Sequence, residues 1–92
     1  MASFIIKTDG SMTPCAPANT KKGFTLCELY ASLNCEMVEV VYPQKVQGFK
    51  SPILICDEEA LFSSKQINTV ASFLAGTHIV GDVILTESKN LK

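Results

Sequence analysis

The chain reads as one α+β domain. The expected form is a two-layer sandwich in which an antiparallel or mixed sheet of four to five strands carries two helices on one face, in the order ββαββαβ. Three observations predict it. Short β-branched runs are cut by turn residues, and two segments open with a helix-capping signature followed by an apolar stripe. Hydrophobic residues make up 47% of the 92 positions and charged residues 18%, the balance of a packed globule rather than a disordered segment. A chain of this length has room for one core and buries only about 60% of the surface its unfolded form exposes, so association is a common remedy.

The first strand is Ser3 to Lys7, and Asp9-Gly10 signals the hairpin turn after it. "MTPCAP" returns as a weak strand, and Pro14 and Pro17 confine it to a sheet edge because proline donates nothing to a ladder. The first helix is expected over Phe24 to Asn34. Thr25 and Glu28 form a capping box, Phe24 staples onto Leu29, Leu26, Leu29, Tyr30 and Leu33 make the buried stripe, and Asn34 ends it. Glu36 to Tyr42 is the next strand, closed by Pro43, and the short, wholly apolar Ile53 to Cys56 strand should lie centrally. The second helix repeats the first one's device, with Ser63 and Gln66 as capping box, Phe62 and Ile67 as staple, and Gly76 as stop. Ile79 to Thr86 is the last strand, interrupted at Gly81, which marks a bulge or a close approach of another backbone or a ligand. In this arrangement one sheet face lacks a helix, and apolar residues on both faces of the Glu36 strand point to a homo-oligomer that covers it, with partial exposure of its Val and Met side chains as the plainer alternative.

Charge and cysteine usage narrow the function classes. The formal net charge is -1, with eight lysines spread along the chain and no arginine, which argues against duplex nucleic acid because groove reading leans on arginine's fork. Cys15, Cys27, Cys35 and Cys56 include no C-x-x-C pair and have only His78 to join them, so neither a zinc site nor a disulfide scaffold is expected. The N-terminus has no cationic segment leading into an apolar run and cleavage site, and no apolar run is long enough to span a bilayer. Reduced thiols, no membrane partner and a cytoplasmic location are the expectation. No nucleophile motif, Walker loop, dinucleotide fingerprint or metal-ligand pair is present, so no enzyme activity and no cofactor are expected.

The consecutive acids Asp57-Glu58-Glu59 invite a metal or acid/base reading. On an extended chain they point to alternating sides, and an EF-hand loop would need alternate acids around a central glycine. The plainer reading is the hydrophilic lip of a strand-to-helix turn, with Asp57 the best placed to accept hydrogen bonds from a ligand. Asp82 is either a paired or solvated charge in an apolar strand or an edge charge that discourages aggregation. Asn68 lies off the second helix's stripe, either exposed or able to read a base edge or bind a neighbouring loop.

The run "IIKTDG", "FTLCELYASLN", "EVVY", "ILICDEEALF", Asn68 with Ala71, and "IVGDVIL" resembles a small domain of unknown function encoded by bacteriophages, plasmids and related bacterial genes. The resemblance covers nearly the whole chain. Its most specific parts are the strand ending in Asp57-Glu58-Glu59, the Asn68-x-x-Ala71 spacing and Ile79-Val80-Gly81-Asp82. The chain departs from the family pattern at Gln66-Ile67, where Leu-Pro is usual, and at Asn34-Cys35, where Gly-Gly is usual. The resemblance implies a mobile-element protein of the bacterial cytoplasm, and within that setting an inhibitor of host defence of one of two types, the first below being the leading expectation, the second the alternative, and a structural or regulatory phage protein the third. One sequesters a nucleotide second messenger in pockets between subunits. Asp57, Asn68, Gly81 and Asp82 would line the pocket, Tyr42 or Phe49 would stack on a base, and Lys45 or Lys50 would meet phosphate. The other type binds a defence enzyme directly, through an apolar patch such as Met37, Val41 and Phe49, and has no small ligand.

Overall fold

The structure is a computed structural model that describes residues 3–16, 23–33, 35, 37–43, 46, 48–59 and 65–90. Five strands form one sheet in the order β2-β1-β5-β4-β3, and every neighbouring pair is antiparallel. In chain order they are β1 (Ser3–Ile6), β2 (Met12–Cys15), β3 (Val38–Val41), β4 (Pro52–Asp57) and β5 (Val83–Glu87). Helix α1 (Leu26–Leu33) lies between β2 and β3, helix α2 (Thr69–Ala75) between β4 and β5, and a 3-10 turn (Ser88–Asn90) follows β5. This is the α+β class and the ββαββαβ order expected. No helix among the described residues is long and apolar enough to cross a membrane.

Local signals explain much of this. The β1–β2 turn closes through Gly10 N–H to Lys7 C=O and through Asp9 Oδ1, which accepts from Ser11 N–H. β2 is the edge strand its proline requires, with Pro14 opposite Phe4. At the start of α1 the capping box forms as expected. Glu28 Oε1 accepts from Thr25 N–H at 2.9 Å, and Thr25 Oγ1 accepts from Glu28 N–H at 3.2 Å. Leu29 and Leu33 are buried from this helix, but Leu26 is exposed, so the stripe is narrower than its spacing implied. Asn34, expected to end α1, lies outside the described residues.

The placement of the helices corrects the expectation. Side chains alternate across a strand, so odd and even positions of β4 face opposite ways. Ile53 and Ile55 join Ile84 and the α1 residues Leu29 and Leu33 in one core cluster. Leu54 and Cys56 join Leu85, Val83, Ile6 and the α2 residue Ala71 in another. The helices therefore cover opposite faces, and the layers run α1, sheet, α2. A wholly apolar inner strand demands this, because each of its faces needs a cover. The bare face that motivated the homo-oligomer is thus absent: Val38 and Val40 pack on the α1 side and Val41 on the α2 side.

Candidate functional site

Asp57 is the last residue of β4 and only 6% exposed. Its Oδ1 accepts from Glu59 N–H at 2.9 Å, an Asx turn that reverses the chain. Its Oδ2 takes the Lys65 ammonium at 2.7 Å, and the same Nζ donates to the Leu33 carbonyl at the end of α1. A near-buried carboxylate is tolerable only with such partners. Glu58 and Glu59 are exposed in the turn, with Glu58 N–H donating to Met37 C=O. The acid triplet is the lip of a turn, and among the described residues no group of His, Cys, Asp and Glu could hold a metal ion.

Asn68 is wholly buried, not an exposed helix residue. The expected capping box over Ser63 and Gln66 does not start α2. Phe62 and Ser63 lie outside the described residues, Ile67 forms a lone bridge with Val80, and Gln66 C=O accepts from Gly81 N–H. The helix starts at Thr69 with Asn68 as its N-cap, whose Oδ1 accepts from Ala71 N–H at 3.0 Å. Both amide hydrogens of Asn68 are spent as well, on Ile6 C=O at 2.8 Å and Gly81 C=O at 2.9 Å. With both donors engaged and the side chain wholly buried, Asn68 presents no edge to a base. The signal for it was an Asn immediately before an apolar run, which the upstream Ser-x-x-Gln pattern outweighed. The Gly76 stop does form, in the left-handed conformation with its N–H on Ser72 C=O.

Gly81 has φ +83°, and a Cβ there would lie 3.0 Å from Lys65 Cδ. The neighbour at this glycine is the Lys65 side chain, rather than the backbone or ligand expected. Asp82 is half-buried and accepts from Thr8 N–H at 3.1 Å, which ties the start of β5 to the end of β1. Asp57, Asn68, Gly81 and Asp82 thus gather near one end of the sheet, where each is engaged in an internal contact.

Tyr42, Phe49 and Lys50 lie at the other end. Val41 pairs with Leu54, whereas Asp57 pairs with Val38, so the residues after β3 sit beside the start of β4. From Ile53 to Asp57 the strand covers roughly 13 Å at about 3.3 Å per residue. Within one chain the two halves of the expected nucleotide pocket do not meet. Tyr42 is 76% exposed, Phe49 packs beside Val46 against the α2-side core, and Lys45 lies outside the described residues. The N–H groups of Lys50 and Ser51 donate to the two oxygens of Glu87 at 2.9 and 2.7 Å, and these bonds hold that carboxyl below its ordinary range, since donors favour the charged form. Glu87 and the buried Ser3–Thr86 hydroxyl pair, 2.6 Å apart, escaped sequence reasoning because neither has a local pattern.

A small pocket opens beside the Asp57 end of the sheet, about 60 Å³ in volume and lined by Glu39, Cys56, Asp57, Glu58, His78, Ile79 and Val80. Drug-sized ligands occupy pockets of roughly 300–1,000 Å³, so this one has space for a side-chain tip rather than a nucleotide. Burial, with smaller contributions from Glu39 and Asp57, pushes the Cys56 thiol up to about 12 and so keeps it protonated and inert as a nucleophile. All four cysteines are free.

Fold and site together define a small α+β protein in which the polar groups singled out by the sequence mostly serve the architecture. No family model, curated protein or solved structure matches the chain.

Proposed function

We propose that this is a non-catalytic binding protein that acts by direct contact with another protein. The observation that carries the reading is its apolar surface. Phe73 on α2 is 85% exposed and Tyr42 76% exposed, and Met12, Leu26, Met37 and Ile67 are about half exposed. Aromatic side chains with this much area out of the core are the residues that anchor protein interfaces. The mobile-element resemblance supplies the setting, in which the partner is a host defence enzyme held inactive.

The nucleotide sponge, with the homo-oligomer it assumes, draws less support. Asn68 and Asp57 have their polar atoms engaged internally, and Glu39 and Glu58 at the pocket disfavour phosphate. Native mass spectrometry of the protein purified gently from bacteria carrying defence systems tests the choice. The expected result is a stoichiometric complex with one host protein, lost in Tyr42→Ser or Phe73→Ser. A discrete extra mass of a few hundred daltons per chain would sink the reading in favour of the sponge, and bare polypeptide from every host would also count against it.

A further inference from the structure

The two edges of the sheet are chemically unlike. β2 carries Pro14 in mid-strand, which withholds a backbone donor and blocks the addition of another strand. β3 reads "VEVV", has no proline within it, and among the described residues pairs only with β4. Its ends are marked by exposed apolar side chains, Met37 before it and Tyr42 after it. Such an edge is a template for an extended peptide.

A second feature beside that edge specifies what the peptide carries. Glu39, the one charged residue of β3, pairs with Cys56 and is exposed, and it shares the small pocket with Glu58. Asp57 on the pocket wall is neutralised by Lys65, but among the described residues neither the Glu39 nor the Glu58 side chain has an ion-pair partner. A residue added directly opposite Glu39 would place its Cβ about 5 Å away on the same sheet face. Ile79, Val80 and His78 also line the pocket, and the apolar pair suits the methylene stem of a long cationic side chain.

We propose that β3 takes up an extended segment of the partner protein as a sixth strand, and that this segment sets a lysine or arginine opposite Glu39, over the pocket shared with Glu58. The proposal rests on the protein-contact reading above and names the chemistry of the partner. A second copy of this chain fits the edge less well, because antiparallel self-pairing brings two Glu39 carboxylates onto the same face of adjoining strands.

The test is an amide NMR titration of the full chain with three capped peptides, Thr-Val-Thr-Xaa-Thr-Val-Thr, in which Xaa is lysine, alanine or glutamate. The lysine peptide should shift the amides of Val38–Val41 and bind about fivefold tighter than the glutamate peptide at low salt, a preference that added salt erodes. Glu39→Gln combined with Glu58→Gln changes only exposed side chains. It should reduce the preference to less than about twofold while the β3 shifts persist. Equal binding of all three peptides would overturn the proposal. So would shifts centred on β2 or on Phe73, no shift at about 1 mM peptide, or a peptide-free dimer with protected β3 amides. Any of these leaves the protein-contact reading standing if the native complex with a host protein is still found, whereas a nucleotide mass in that experiment removes the reading whatever the peptides do.

Discussion

Replacing Asn68 by alanine should cost much of the protein's stability, and the size follows from its contacts. The side chain makes three hydrogen bonds in a fully buried setting, one to Ala71 N–H and two to the carbonyls of Ile6 and Gly81. Loss of the N-cap costs about 1 kcal/mol. Each carbonyl left buried without its donor adds about 1–2 kcal/mol, so the sum is about 3–5 kcal/mol. Small domains are stable by only about 5–15 kcal/mol, and for this size each kcal/mol moves the midpoint by about 4–8 °C. Thermal and urea unfolding of Asn68→Ala should therefore show a fall of at least about 12 °C. Asn68→Asp should recover little, because it keeps the cap acceptor but turns an oxygen toward two carbonyls. A loss below about 1 kcal/mol would refute the structural role and return Asn68 to the ligand-binding candidates.

Further outcomes follow from the same contacts. Gly23 sits at φ +77°, where an added Cβ would run into the Asn90 carbonyl, beside the Phe24 N–H to Asn90 C=O bond. Gly23→Ala should therefore destabilise by about 2 kcal/mol, as read in a urea melt. Glu87 holds its proton less tightly folded than unfolded, because Lys50 and Ser51 N–H groups favour the carboxylate. Its contribution is therefore whole above the ordinary value of 4.5 and is lost as pH falls through the lowered folded value. Urea midpoints followed from about pH 6 to about pH 3 should decline, and Glu87→Gln should flatten that decline. With a thiol alkylating agent at about pH 8, exposed Cys27 should label first and Cys56 only on unfolding; early modification of Cys56 would contradict its burial.

The parts of this fold legible in the sequence are those whose causes lie within a few residues. The Thr25–Glu28 capping box, the Asp9-Gly10 turn, the edge position forced by Pro14 and the Gly76 stop each depend on local backbone chemistry. Position across the sheet is different. The apolar run of β4 required cover on both faces, yet nothing in its neighbourhood says that α1 takes one and α2 the other. The site was harder still. The gathering of Asp57, Asn68, Gly81 and Asp82 at one end was legible from element order, but its purpose was not, because Lys65, Ile6 and Thr8 reach it through tertiary contacts that a pass along the chain does not reveal. Tyr42, Phe49 and Lys50 fall at the opposite end from that group because β3 and β4 pair antiparallel, a register that no local pattern announces.

The strand order also bears on biosynthesis. β5 is the last of the five strands to leave the ribosome, yet it lies between β1 and β4 in the finished sheet and contributes Val83, Ile84 and Leu85 to the core. Until it emerges, the strands of the nascent chain can pair only as the β1–β2 and β3–β4 hairpins, and the Ile6 to Val83 pairing joins the first strand of the sheet to the last. The sheet therefore cannot be joined into one until its last strand has been made. In the interval the inward edges of both hairpins are open to chaperones or to neighbouring chains on the same polysome.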